Sequence, residues 1–159
     1  MTENKKKFHL RRQDREIKDR VDIEQLMKKA TVCHLALMDD DEPYAVPVSF
    51  GYEERAIYFH SALEGRKVNI IKRNNRVSFS IVIDEGIEFD GHKCKVRYKS
   101  VSGKGTARIL EDNLEKTKAL KTIMRQCVGS EYSFEEERLS TTLVIRIDID
   151  DVHGKKAGF

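Results

Sequence analysis

Tyr58-Phe-His-Ser-Ala-Leu-Glu-Gly-Arg-Lys67 is the stretch whose residue types could do chemistry. A His-Ser pair closes an aromatic run, a glycine follows, and Arg66-Lys67 stand directly before the amphipathic run Val68-Asn-Ile-Ile-Lys-Arg73. A hydroxyl, free backbone N–H groups at a helix start and two adjacent cations are the parts that hold a phosphate monoester. The plainer reading makes Arg66, Lys67, Lys72 and Arg73 the solvated face of an ordinary helix. Placement favours the phosphate. Cations in a first helical turn oppose the macrodipole by about a few tenths of a kcal/mol or more, and a bound anion relieves that conflict.

Other groupings carry less. Gly103-Lys-Gly-Thr106 lacks the spacing of a phosphate loop. It also fails as a dinucleotide fingerprint, because Arg108 holds the third glycine position and a strand continues where a helix should begin. Bulge glycines in a long strand explain it better. His92 and Cys94 have no second pair at zinc spacing, and Cys33 and His34 point to opposite faces of a strand, so no metal site is expected. Cys127 sits on an apolar helical stripe and reads as core. No local signature of a Ser-His-Asp or Cys-His-Asn nucleophile is present.

The elements that must position the His-Ser-Gly-Arg-Lys segment follow from periodicity. Arg12–Ala30 reads as helix in two pieces, with Asp22 capping the second. Thr31–Met38 and Tyr44–Tyr52 read as a hairpin around the acidic turn Asp39–Glu42, and Pro47 puts the second strand at an edge or marks a bulge in it. Arg55–His60, Arg76–Ile83, Val96–Leu110 and Thr141–Ile149 complete six strands, the third of these bulged or broken at Gly103 and Gly105. Gly65–Arg73 and Asp112–Cys127 are helices, and residues 87–95 take no assignment. Six mostly hairpin-linked strands with peripheral helices predict an α+β, predominantly antiparallel split or closed β-barrel.

A chain of 159 residues makes one domain, expected over 12–159 behind a flexible tail at 1–11. Its 30 basic and 27 acidic residues nearly cancel, so no overall surface for nucleic acid is implied, and Lys5–Lys7 reads as a solvated tail. No apolar run approaches the roughly 20 residues of a membrane span, and no signal peptide is evident. Three scattered cysteines fit a reducing cytoplasm.

With these residues in place, the chain resembles the pyridoxamine 5′-phosphate oxidase-like FMN-binding split barrels, most closely the branch related to 5-nitroimidazole-resistance (Nim) proteins. The resemblance runs from Arg12-Gln-Asp-Arg-Glu-Ile17 to His153-Gly-Lys155. Between them lie Pro43-Tyr44-Ala-Val-Pro47, the His60–Lys67 segment, Asn75-Arg-Val77 and Tyr98-Lys-Ser-Val101. Their order and spacing are more specific than any one of them.

The resemblance implies FMN as cofactor. It places the flavin ring along Tyr44, Val46, Pro47, Val48 and Ser49, and makes His60 and Ser61 cofactor contacts, with Ser61 as the phosphate hydroxyl. Arg66 and Lys67 become the phosphate pair, and Ser100 or Val101 reaches the flavin from the long strand. It further implies a homodimer with FMN at the subunit interface, a small-molecule substrate, and reduction of nitroaromatics of the 5-nitroimidazole type. His60 is then either a positioning or proton-donating catalytic residue or a bystander hydrogen-bonded beside the cofactor. The substrate-binding tryptophan and arginine of the oxidase itself have no counterpart here, which counts against vitamin B6 oxidation. The alternative function is a non-catalytic flavin- or haem-binding module.

Overall fold

The computed structural model describes residues 11–130 and 132–159, so of the tail expected at 1–11 only Arg11 is described. A 3-10 turn, Gln13–Arg15, leads into a two-residue strand, β1 (Glu16–Ile17), and then a helix, α1 (Arg20–Lys29). This corrects the two-piece helix expected from Arg12. Ile17 is spent on pairing with Gly154, where a Cβ would come within 2.9 Å of the Ile17 side chain. Asp19, not Asp22, caps α1, its carboxylate accepting the Val21 N–H at 2.8 Å.

Alternation builds the strands. In β2 (Val32–Asp39) every second residue from Cys33 to Leu37 is buried and its neighbours are exposed. A tight turn with Asp40 at φ 55° leads to β3 (Glu42–Ser49), with Pro47 opposite His34. β3 is an edge strand, so the donor that proline lacks breaks no ladder. The single run expected over Tyr44–Tyr52 is instead two strands, because β4 (Gly51–Glu53) follows Phe50 and pairs elsewhere. A Cβ on Gly51 would stand 2.7 Å from the Ile123 backbone nitrogen, so a helix lies directly on this backbone.

The rest follows as β5 (Ala56–Ser61), α2 (Arg66–Arg73), β6 (Arg76–Phe89), β7 (Cys94–Ile109), α3 (Asn113–Val128), α4 (Glu136–Thr141) and β8 (Leu143–Ala157). Residues 87–95, which the pattern left unassigned, hold the far ends of β6 and β7 and the turn between them. β7 is not broken at Gly103 and Gly105. Lys104 pairs with Asp151 and Gly105 with Ile149, so the extra residue of the bulge is Asp150, on β8.

The sheet is antiparallel, in the order β3-β2-β6-β7-β8-β5-β4 with β1 added beside β8, which makes eight strands among the described residues where six were expected. β3 and β4 are the two ends of that order, yet one residue, Phe50, separates them in sequence. The sheet must therefore roll until its ends meet. Phe50 is fully buried at that join, and β3 approaches β5 there without pairing to it. The result is an α+β split barrel. Phe50, Phe59, Leu35, Ile57, Ile81 and Ile147 fill its interior, and a second cluster around Leu120, Ile123 and Val144 seats α3 outside it.

Candidate functional site

β5 ends at Ser61, the loop 62–65 turns at Gly65, and α2 begins at Arg66. Gly65 holds φ 140°, a conformation that favours glycine, and offers no side-chain cap, so the first N–H groups of α2 keep no capping partner. Nothing lies within 4 Å of where a Gly65 Cβ would be, and the loop faces open space. Ser61 is only 7 % exposed, yet its hydroxyl makes no hydrogen bond among the described residues. Its Oγ keeps some contact with the surface, since among the described residues no fully enclosed side-chain oxygen or nitrogen lacks a partner. The other buried polar residue, Thr122, is bonded to Glu53 at 2.8 Å and to the Lys118 carbonyl. Ser61 stands apart from it in this respect.

The two cations separate. Lys67 is half-buried and has no hydrogen-bond or ion-pair partner among the described residues. Arg66 is occupied: it donates to Asp39 at 2.7 Å and to Glu42 at 3.1 Å, with its guanidinium 4.8 Å from the Tyr44 ring centre. Arg73 binds the second oxygen of Asp39. Hydrogen bonding from Arg66, then from Arg73, holds the Asp39 carboxyl below the usual carboxylate range, and Arg66 is raised in turn. The conflict between positive charge and a helix start, which the sequence left for an anion to relieve, is met in part by the chain's own acidic turn.

His60 does not join this group through its side chain. Ile57, Phe59 and Ser61 face the interior, whereas Tyr58 and the exposed His60 face outward, with His60 opposite Val144. The remaining expected contacts divide the same way. Tyr44, Val46, Val48 and Val101 face inward, and Val48 and Val101 are part of the core. Pro47, Ser49 and Ser100 lie on the outer face. The free edge of β3 is what Tyr44–Ser49 offer in common: backbone groups that no neighbouring strand engages.

Two features escaped the sequence reading. One is the carboxylate pair Asp39 and Glu42, whose signal was an acidic turn in a chain with a basic helix start. The other is the outer face of the sheet, where cross-strand pairs align His34, Ala36, Ala45, Pro47, Ser80 and Ser102. None of these is charged, although Lys104 opposite Ser78 and Lys155 opposite Ser100 bring charge to the same face. A shallow groove of about 400 Å³ crosses this face beside Tyr44, with Pro43, Ala45, Ser78 and the cations Arg76 and Lys104 in its walls. A larger concavity, about 580 Å³, lies under α3, lined by Glu24, Glu53 and Glu54 together with Lys28 and Arg125, so its charges largely cancel. Among the described residues no group of three or more His, Cys, Asp or Glu side chains is placed to hold a metal, and no helix is long and apolar enough to cross a membrane.

The sequence profile described as pyridoxamine 5′-phosphate oxidase matches residues 19–156. No curated protein matches the chain. Among solved structures, one described as a candidate 5-nitroimidazole antibiotic resistance protein from Bacteroides thetaiotaomicron is 30 % identical. It superposes with a TM-score of 0.81, over 89 % of this chain and 86 % of that one. A FAD and heme binding protein from Mycobacterium smegmatis shares the fold at 18 % identity and TM-score 0.80, over 91 % of this chain and 74 % of its own. A FAD-binding protein from Mesorhizobium loti does so at 23 % and 0.69, over 91 % and 98 %. A profile match across most of the length, on a barrel of the same architecture, establishes that the chain belongs to the pyridoxamine 5′-phosphate oxidase family.

Proposed function

We propose that the chain is an FMN-binding oxidoreductase that works as a homodimer and reduces small nitroaromatic molecules. The observation that carries the cofactor is Ser61, a nearly buried hydroxyl without a partner, one short loop away from an uncapped helix start. FMN ends in a phosphate monoester of roughly −2 charge, and such a group is held by a hydroxyl, backbone N–H donors and a nearby cation. Ser61, the first amides of α2 and Lys67 fit that requirement. Arg66 is a second cation that becomes available as it leaves Asp39. The exposed β3 edge and the groove beside Tyr44 suit a flat ring that needs apolar surface and a few backbone contacts. When bound, the flavin supplies hydride or single-electron transfer, and the protein binds and orients it.

The uncharged centre of the outer sheet face, His34, Ala36, Ala45, Pro47, Ser80 and Ser102, supports the dimer, since interface cores are depleted of charge. The nitroaromatic substrate class is supported by the 30 % identity to the Bacteroides protein described as a candidate 5-nitroimidazole resistance protein.

Flavin fluorescence quenching tests the cofactor. Lys67→Ala is expected to weaken FMN binding about ten- to a hundredfold, the cost of a charge-assisted hydrogen bond. Ser61→Ala is expected to weaken it less. His60→Ala, on the other side of β5, is expected to leave affinity unchanged while altering nitroimidazole turnover. Equal affinity in Lys67→Ala and parent, or a haem Soret band in place of flavin absorbance, would overturn the reading.

A further inference from the structure

The groove beside Tyr44 is built on one cross-strand row. Ala45 on β3 pairs with Ala36 on β2, Ala36 with Ser78 on β6, and Ser78 with Lys104 on β7. Residues directly opposite share a face, so three small side chains make a flat floor and Lys104 closes it on the fourth strand. Pro43 adds to the apolar floor, and Arg76 shares the wall with Lys104. No carboxylate lines this groove among the described residues. The concavity under α3 carries three, opposed by Lys28 and Arg125.

The fold fixes Lys104 from beneath. A Cβ on Gly103 would come within 2.6 Å of the Phe79 ring, and one on Gly105 within 2.8 Å of the Ile147 side chain. The backbone on either side of Lys104 therefore lies directly on the core, and Lys104 projects from the opposite face. Local pairing passes its ammonium over. Arg76 donates to Thr106 at 3.0 Å and to Asp150, the bulge residue, at 2.9 Å. Asp151 stands directly opposite Lys104, yet its carboxylate meets the His153 ring at 3.1 Å. Lys104 is half-buried and makes neither a hydrogen bond nor an ion pair among the described residues. A charge so placed interacts with an anion above the apolar floor more strongly than it would in bulk water.

We propose that Lys104 sets the reduction potential of the flavin by meeting the negative charge that the ring gains on reduction. The inference rests on the flavin reading given above, which seats a flat ring in this groove. The oxidised ring system is neutral. A hydride from a donor of the reduced-nicotinamide class brings two electrons and one proton, so the ring that accepts it gains a single negative charge and the donor leaves as its cationic oxidised form. Lys104 therefore meets two forms of one ligand, and by binding the charged form more tightly it favours reduction. The phosphate behaves differently, because its charge is the same in both forms. Lys67 then governs affinity, and Lys104 governs potential. Arg76 contributes less, since Asp150 already offsets its charge.

Equilibrium reduction of the FMN-loaded protein against a dye of known potential tests this division. Lys104→Met is expected to lower the potential by at least about 30 mV, which for a two-electron couple is an about tenfold loss in affinity for reduced relative to oxidised FMN. Fluorescence titration is expected to leave its affinity for oxidised FMN within about twofold of the parent. Lys104→Arg, which keeps the charge, is expected to recover most of the lost potential. Lys67→Ala is expected to weaken both forms alike and leave the potential where it was. Lys118→Met, at an exposed position on α3, is expected to change neither quantity. A potential unchanged in Lys104→Met overturns the assignment. So does a loss of affinity equal for the two forms, which would make Lys104 a plain binding contact. A parent that binds no flavin sinks the cofactor reading and this inference with it. Should Lys104→Met fail to fold, Lys104→Gln carries the same comparison.

Discussion

At the scale of single residues, the availability of Arg66 decides how strongly the candidate site can hold an anion. A hydroxyl, a glycine and two cations in ten residues suggest an anion only through their placement at a helix start. That Arg66 is already held by Asp39 and Glu42 depends on the register of the β2–β3 hairpin, which brings an acidic turn to a helix start 24 and 27 residues later. No local pattern encodes that distance. The side chains of His60 and Ser61, adjacent in sequence, are parted by the pleat. The consequence is testable. Asp39→Asn removes a negative charge and releases Arg66, so FMN is expected to bind about three- to tenfold more tightly, most visibly at low salt. Fluorescence titration at two ionic strengths measures it, and weaker binding would show that Asp39 orients Arg66 for the ligand.

At the scale of elements, strands with one buried face declared themselves through a period of two, and β2 and the first half of β6 were readable for that reason. The exceptions have specific causes. Ile17 left its helix for a niche opposite Gly154, and the run over Tyr44–Tyr52 was cut because α3 needs the bare backbone of Gly51. The distal β6–β7 arm lacks a buried side, so its residues carry no alternation that a core would impose. α4, six residues with only Leu139 in the core, is too short to show a helical period.

Within β2, Cys33 is fully buried, and burial pushes its thiol up to about 12 from an ordinary 9.0. In the unfolded chain the thiol ionises near its ordinary value, while in the fold it stays neutral. The stability it contributes is complete below pH 9 and declines as pH rises toward 12. Thermal unfolding is expected to show a loss of roughly 1.4 kcal/mol per pH unit across that window, beyond the loss in Cys33→Ala. An identical alkaline decline in the two proteins would remove the thiol as its source.

At the scale of the molecule, the barrel, its antiparallel character and its peripheral helices followed from strand count and hairpin spacing. How the sheet closes did not. Its ends are joined by the chain at Phe50 rather than by hydrogen bonds, and that follows from strand order, which no single segment records. Phe50→Ala is expected to cost about 3–5 kcal/mol, because it opens a cavity at the one place where the rolled sheet is tied. Urea unfolding measures it, and a loss under about 1 kcal/mol would show that the join does not bear on closure.

The strand order also sets a schedule. β8 is made after all the other described strands, yet it lies inside the sheet, between β7 and β5, and carries β1 as well. Until Leu143–Ala157 leave the ribosome, the sheet exists only as two unconnected pieces, β3-β2-β6-β7 and β5-β4, each with a bare inner edge. Those edges are templates for pairing with other nascent chains. The barrel is thus completed from its middle, and a chain stopped before Leu143 is left with both inner edges bare.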